Sequence, residues 1–327
     1  MKRYGMIATP AGMLVALFSL SGCTGGPSVS GNFDRSFAVS GPVRLELSGA
    51  SGDVQITGSA DGKVHVHADV RSSGMGFGSP QKRMGELVSH PPVEQRGNTI
   101  RIGKDMSHLR NLGISYTIEV PHDTEVDSTV ASGSQTIRDI RGPVKSQSAS
   151  GAIRVEHIDR DAQLTAMSGS VEASDVGDDV HASSVSGNVS VANAKGDVRI
   201  NALAGVIQVV KPGGRVDADT ASGTVNVQGA TNDVKAHSAS GQISVQGNPA
   251  ANSYWELKTV SGEVQLSVPS SANFQLSADA TSGDIRADVP IVIEEQGKHS
   301  LRAHVGGGGA RVEVHSVSGN IHIKGSN

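Results

Sequence analysis

The segment Ser-Val-Ser-Gly-Asn-Val-Ser-Val (184–191) has near-copies along most of the chain, and their spacing constrains the fold more than any composition does. The Ser-Gly glycines fall at Gly41, Gly52, Gly133, Gly151, Gly169, Gly187, Gly205, Gly223, Gly241, Gly262, Gly283 and Gly319. From Gly133 to Gly241 every step is 18 residues; two steps of 21 follow, then one of 36. A fixed period of this length marks a repeat architecture, in which each unit buries its apolar face only against its neighbours.

Counting the Ser-Gly glycine as position zero, position 2 holds Ile153, Val171, Val189, Ile207 and Val225, and position 4 holds Val155, Ala173, Val191, Val209 and Val227. Position 11 holds Val144, Ala162, Val180, Val198, Val216 and Val234; position 13 holds Ser146, Leu164, Ala182, Ile200, Ala218 and Ala236. Positions 7 and 16 are also mostly apolar, as in Ile158, Val176, Met167 and Leu203. The set 2, 4, 7 recurs as 11, 13, 16, displaced by nine, so each rung reads as two nine-residue half-turns with all six positions inward. Alternation with period two predicts short strands and excludes helix. Position nine (Gly142, Arg160, Asp178, Gly196, Gly214, Asn232) is rich in residues that tolerate positive φ and predicts a second corner. The expected fold class is therefore all-β, a parallel β-solenoid of 18-residue rungs with an N-terminal β cap. With aromatics at 3%, its interior is thin and built from Val, Ile and Ala.

The flanks divide the chain further. Lys2, Arg3 and the apolar run Met13–Leu20 form a signal peptide over 1–22, ending in Leu20-Ser21-Gly22-Cys23. That tetrapeptide resembles the bacterial lipobox, which implies lipid attachment at Cys23 and a membrane partner through the anchor. By the same resemblance, to Gram-negative lipoproteins, Thr24 implies outer-membrane sorting. Cys23 is the single cysteine, so no internal disulfide forms. Residues 23–40 read as a flexible tether, 41–130 as the N-terminal β region, with a loop over Ser72–Pro92, 131–283 as the regular solenoid and 284–327 as a C-terminal β cap. No later stretch is long and apolar enough to span a bilayer. The net charge of −4, or −6 without Lys2 and Arg3, leaves no basic footprint for nucleic acid.

The reiterated Ser-Gly-x-Val-x-Val with Gly-Asp-Val between copies resembles a bacterial family of β-strand-repeat envelope proteins, adhesin-like domains of unknown function. The closing segment Gly-Gly-Gly-Gly-Ala-Arg-Val-Glu-Val-His-Ser-Val-Ser-Gly-Asn-Ile-His-Ile resembles that family's last strand and its Gly-rich lead. The resemblance covers about 41–327, implies a β-solenoid fold and transfers no catalytic residue.

A dozen similar serines without a following helix do not make a hydrolase elbow, and Ala204 replaces Ser without disturbing the period. Position ten (Asp161, Asp179, Asp197, Asp233, broken by Pro143 and Arg215) offers a carboxylate ladder suited to calcium, to a polysaccharide lyase, or to capping backbone N–H groups at a corner; the corner role is favoured and the calcium nonapeptide is absent. His65 and His67 share a strand face and read as solvated rather than as a metal pair. Tyr254 and Trp255 sit where the period lengthens, as packing residues or a sugar-stacking platform. Outward position 12 (Lys145, Gln163, His181, Arg199, Asp217, Lys235) shows no convergent set. The expectation is a non-enzymatic, lipid-anchored envelope interaction module without cofactor or metal, whose partner is an envelope protein or a glycan. The alternative is a carbohydrate-binding or lyase-like β-helix.

Overall fold

The computed structural model describes residues 29–72, 80–103 and 112–326. Apart from one helix, Pro80–Ser89, its regular elements are all strands, joined in a single long, mostly parallel, open sheet with a solenoid-like course. Two ladders carry the middle of the chain. In one, Val144 lies beside Ala162, then Val180, Val198, Val216 and Val234. In the other, Ile153 lies beside Val171, then Val189, Ile207, Val225 and Ile243. Residues of one column therefore stack on one another, and the side chains at positions 2, 4, 7, 11 and 13 form the core; Ile153, Val155, Ile158, Ala162 and Leu164 are at most 1% exposed. Each fully buried Val contributes about 1.5–3 kcal/mol, a gain that exists only while neighbouring rungs cover it.

Two details of the cross-section differ from the sequence expectation. Position 15, not 16, faces inward: Ala166, Ala202 and Ser238 are buried, while Met167 and Leu203 are 60% and 57% exposed. Strict alternation simply continues through 11, 13 and 15, and the reversal happens only at Ser-Gly. The second correction concerns the other corner. Positive φ falls at position 6, on Asp139, His157, Asp175, Asn193 and Lys211 (51–60°) and on Gly229, rather than at position nine. An αL residue at position 6 inserts one extra residue between inward positions 4 and 7, which alternation alone cannot connect.

The Ser-Gly corner is built as expected from a glycine. Gly187 has φ 151°, and a Cβ placed on it would lie 2.0 Å from the carbonyl oxygen of Gly169 one rung below. Glycine there serves both the turn and the close stacking of successive corners.

The tether and the loop of the N-terminal region are also revised. Within the stretch read as a tether, Val29–Ala38 is a strand, paired antiparallel with Lys63–Ser72. It is anchored by Phe33, which is buried and packs edge-on against Tyr116 at a ring separation of 6.5 Å. Phe33 and the half-buried Phe37 are too few, in a Gly/Ser background, to show a period. Within the expected loop, Pro80–Ser89 is helical because Met84 and Leu87, three residues apart, share one face and bury it.

The C-terminal strands are not stacked in chain order. Phe274–Ser282 and Ile285–Asp288 pair with Ala310–Ser318 and Ile321–Ser326, which pair in turn with Tyr254–Ser261 and Val264–Pro269. The later segment thus fills a slot between two earlier ones. Ser300–Val305 then covers Phe274–Ser282 antiparallel, and Val292–Gln296 pairs with Ser300–Val305.

A candidate interaction groove along the Ser-Gly corner

Because position 15 turns inward, positions 14 and 16 stand out on either side of it. Stacked over successive rungs they make two parallel walls with the position-15 residues between them, and the result is a groove of about 910 Å³. One wall is polar: Thr165, Ser183, Asn201, Asp219, His237, Lys258 and His315. The other is apolar: Met167, Val185, Leu203, Ala221, Ala239, Val260 and Val317.

The charges in this groove already have partners. His237 Nδ1 is 3.1 Å from Asp219 Oδ1 and its Nε2 is 3.5 Å from Glu256 Oε2. Lys258 contacts Glu256, whose carboxyl lies below its usual range chiefly through that hydrogen bond. The groove therefore presents hydroxyls, amides and mutually compensated charges opposite aliphatic side chains.

The other candidates separate as follows. In the position-ten column, one carboxylate oxygen accepts a backbone N–H of the next rung: Asp197 N–H donates to Asp179 (2.7 Å), Arg215 N–H to Asp197 (2.8 Å) and Tyr254 N–H to Asp233 (2.8 Å). These carboxylates act as corner caps. The oxygens of Asp161, Asp178 and Asp179 also come within 4.8 Å of one another at the surface. His65 bonds to Ser36 and Asp61 (2.9 and 3.0 Å), and His67 to Asp34 (2.7 Å), which raises the His67 pKa above its ordinary value. Each ring is engaged by its own neighbours, not aimed at a shared point.

Trp255 is fully buried in the inward column and donates from Nε1 to the Asn232 carbonyl at 2.7 Å. Tyr254 donates to Glu313 at 2.7 Å, and its pKa is pushed up to about 12, first by burial and then by that bond. Trp255 is a packing residue, while Tyr254 is half-buried with its hydroxyl committed to Glu313, so the two rings do not form a shared open platform. Cys23 lies outside the described residues. No helix among the described residues is long and apolar enough to cross a membrane.

The sequence reading did not find the groove. Its apolar wall was visible as column 16 but assigned to the interior; the available signal was the 11, 13, 15 alternation, which leaves 16 outside.

No curated protein matches this sequence. Among solved structures, a candidate cell-adhesion protein from Clostridium sporogenes aligns over 91% of this chain and 100% of its own, at 11% identity and a TM-score of 0.24. A candidate adhesin from Bacteroides fragilis aligns over 90% and 97%, at 14% identity and a TM-score of 0.32. The family model described as Toastrack DUF4097 matches residues 117–324. That span exceeds half of the 327 residues and contains the stacked Ser-Gly corners from Gly133 to Gly319; the chain belongs to the Toastrack DUF4097 family.

Proposed function

We propose that this protein is a β-solenoid of 18-residue rungs, capped at 41–130 and at 284–327, that works as a non-enzymatic, adhesin-like interaction module of the bacterial cell envelope. The observation that carries the reading is the groove: an uninterrupted apolar wall facing a polar one along many rungs of a rigid stack. Rigid stacks with a continuous side face are suited to binding extended surfaces, and contiguous exposed apolar patches mark interaction sites where scattered ones do not. The Leu20-Ser21-Gly22-Cys23 lipobox supports an acyl anchor at Cys23, and with Thr24 it supports placement at the outer membrane.

The test is site-specific photocrosslinking in intact cells. Probes at Val185 and Leu203 in the groove are compared with a probe at Arg154 on the outer face of the other ladder. Adducts from the groove positions but not from Arg154 are expected; equal or absent adducts overturn the reading. Replacing Cys23 with Ser should release the folded protein from the membrane fraction, and retention after a high-salt wash would refute the anchor.

A further inference from the structure

The apolar wall of the groove runs from Met167 to Val317 through seven stacked rungs. At a rung spacing of about 4.8 Å, its six intervals span roughly 29 Å. Among the described residues, eight large hydrophobic side chains are exposed; five lie on this wall, and Val206 stands just past the corner. So concentrated a ridge on one edge of a rigid stack is built for a partner.

We propose that the partner of this groove is a second copy of the same chain, lying alongside with its ridge in the groove and receiving the first ridge in its own. The proposal rests on the groove being the interaction surface, and it names the occupant.

Spacing is the first argument. An extended peptide laid along the groove presents same-face side chains about 6.7 Å apart and a helix repeats at about 5.4 Å. Either falls out of step with a ladder of about 4.8 Å well before its far end. Another stack of parallel strands stays in step over the whole length, and this chain is such a stack.

The size profile is the second. With the copies antiparallel about Ala221, Met167 faces Val317, Val185 faces Val260, Leu203 faces Ala239 and Ala221 faces itself. Leu meets Ala where the ridges cross most closely, and the larger side chains close the two ends. Such a pairing is isologous, as a two-fold dimer requires.

Charge agrees, and area sets the strength. The ridge carries no charge, and the charged groups of the opposite wall are compensated within their own chain, as His237 is by Asp219. The face therefore does not repel its own image. A strip about 29 Å long and three residues wide presents on the order of 300 Å² per copy, so the pair is a small interface that forms at tens of micromolar rather than a tight one.

Sedimentation velocity on the full chain in mild detergent, at tens of micromolar, tests this. A dimer is expected. Leu203→Asp should raise its dissociation constant at least ~30-fold and leave the melting temperature of the dilute monomer unchanged, because Leu203 is exposed. Ser183→Arg, which fills the groove from the polar wall without touching the ridge, should do the same. With Cys23 replaced by Ser, a mixture of Leu203→Cys and Ala239→Cys chains should form an intermolecular disulfide. A monomeric wild type, or a dimer indifferent to both groove variants, overturns the proposal. A monomer whose groove positions still crosslink an envelope component leaves the interaction reading standing and removes the second copy; a monomer without such crosslinks removes both.

Discussion

The middle of the stack and its C-terminal end use the same rung and close it differently. Between Gly133 and Gly241 each new segment lies directly on the one before it, so any rung has the same two neighbours in space as in sequence. At the C-terminal end, residues 310–326 lie between strands whose paired residues precede them by 57 and by 36 positions. The middle is therefore modular and the end is interlocked. The same 18 residues should be dispensable in one place and indispensable in the other.

Deletion breaks this comparison most forcefully. Removing residues 310–327 takes away Val312, Val314, Ile321 and Ile323, all buried, and leaves an empty slot inside the stack. The gross loss of burial is on the order of 10 kcal/mol, and loss of cooperative unfolding of the C-terminal third is expected by circular dichroism and limited proteolysis. Removing 170–187 excises one whole period and rejoins Gly169 to Asn188 in register; that protein should fold and melt cooperatively. Two equally stable deletions would show that the end is as modular as the middle.

Substitutions sharpen it. Val198→Asp places an unpaired charge in the core of a middle rung, where Val198 is 1% exposed, and should cost about 3–5 kcal/mol. The adjacent Arg199 is half-exposed and makes only surface contacts, 3.3 Å to His181 Nε2 and 3.8 Å to Asp217, so Arg199→Asp should change stability by less than about 1 kcal/mol. Equal effects in thermal melts would sink the inward and outward assignment. Gly187→Val should cost about 3 kcal/mol, since it meets both a left-handed φ and the Gly169 carbonyl. At the end of the chain, Gly325→Ala has nothing within 4 Å of the new Cβ and should be silent. The smallest effect belongs to Ser186→Ala. Ser186 is exposed and its ladder neighbour is already Ala204, so a change below about 0.5 kcal/mol is expected by denaturant titration.

What could be read from residues alone follows the same division. Stacking puts like on like, so columns of Val, Ile and Ala show as a period, and the inward positions 2, 4, 7, 11 and 13 were legible. The αL residue at position 6 was overlooked: Asp139, Asp175, Asn193 and Gly229 are of αL-tolerant type, but His157 and Lys211 interrupt the column, and position nine, richer in Gly, drew the corner assignment instead. Val29–Ala38 and the helix at Pro80–Ser89 each rest on two or three apolar side chains, too few to outweigh the Gly, Ser and Pro around them. The slot filled by 310–326 left only a hint in the 36-residue step, since spacing records distance along the chain and not order in space. The groove was hidden for a local reason: one column, Met167 to Val317, is apolar and faces outward, against the rule that apolar columns line the core.

The displaced C-terminal rung also imposes an order in time. A chain delivered from its N-terminus can stack its middle rungs as they arrive, each on a finished template. The segments Tyr254–Ser261 and Phe274–Ser282 must instead wait, with backbone donors and acceptors facing one another across an unfilled space, until Ala310–Ser318 is delivered. Pairing of this kind spans long sequence separations and is slow compared with addition to a neighbouring rung. Until that strand arrives, the waiting edges are open to proteases and to foreign strands. The last step of assembly is thus a keystone insertion, and its rate sets how long the newly made molecule remains vulnerable.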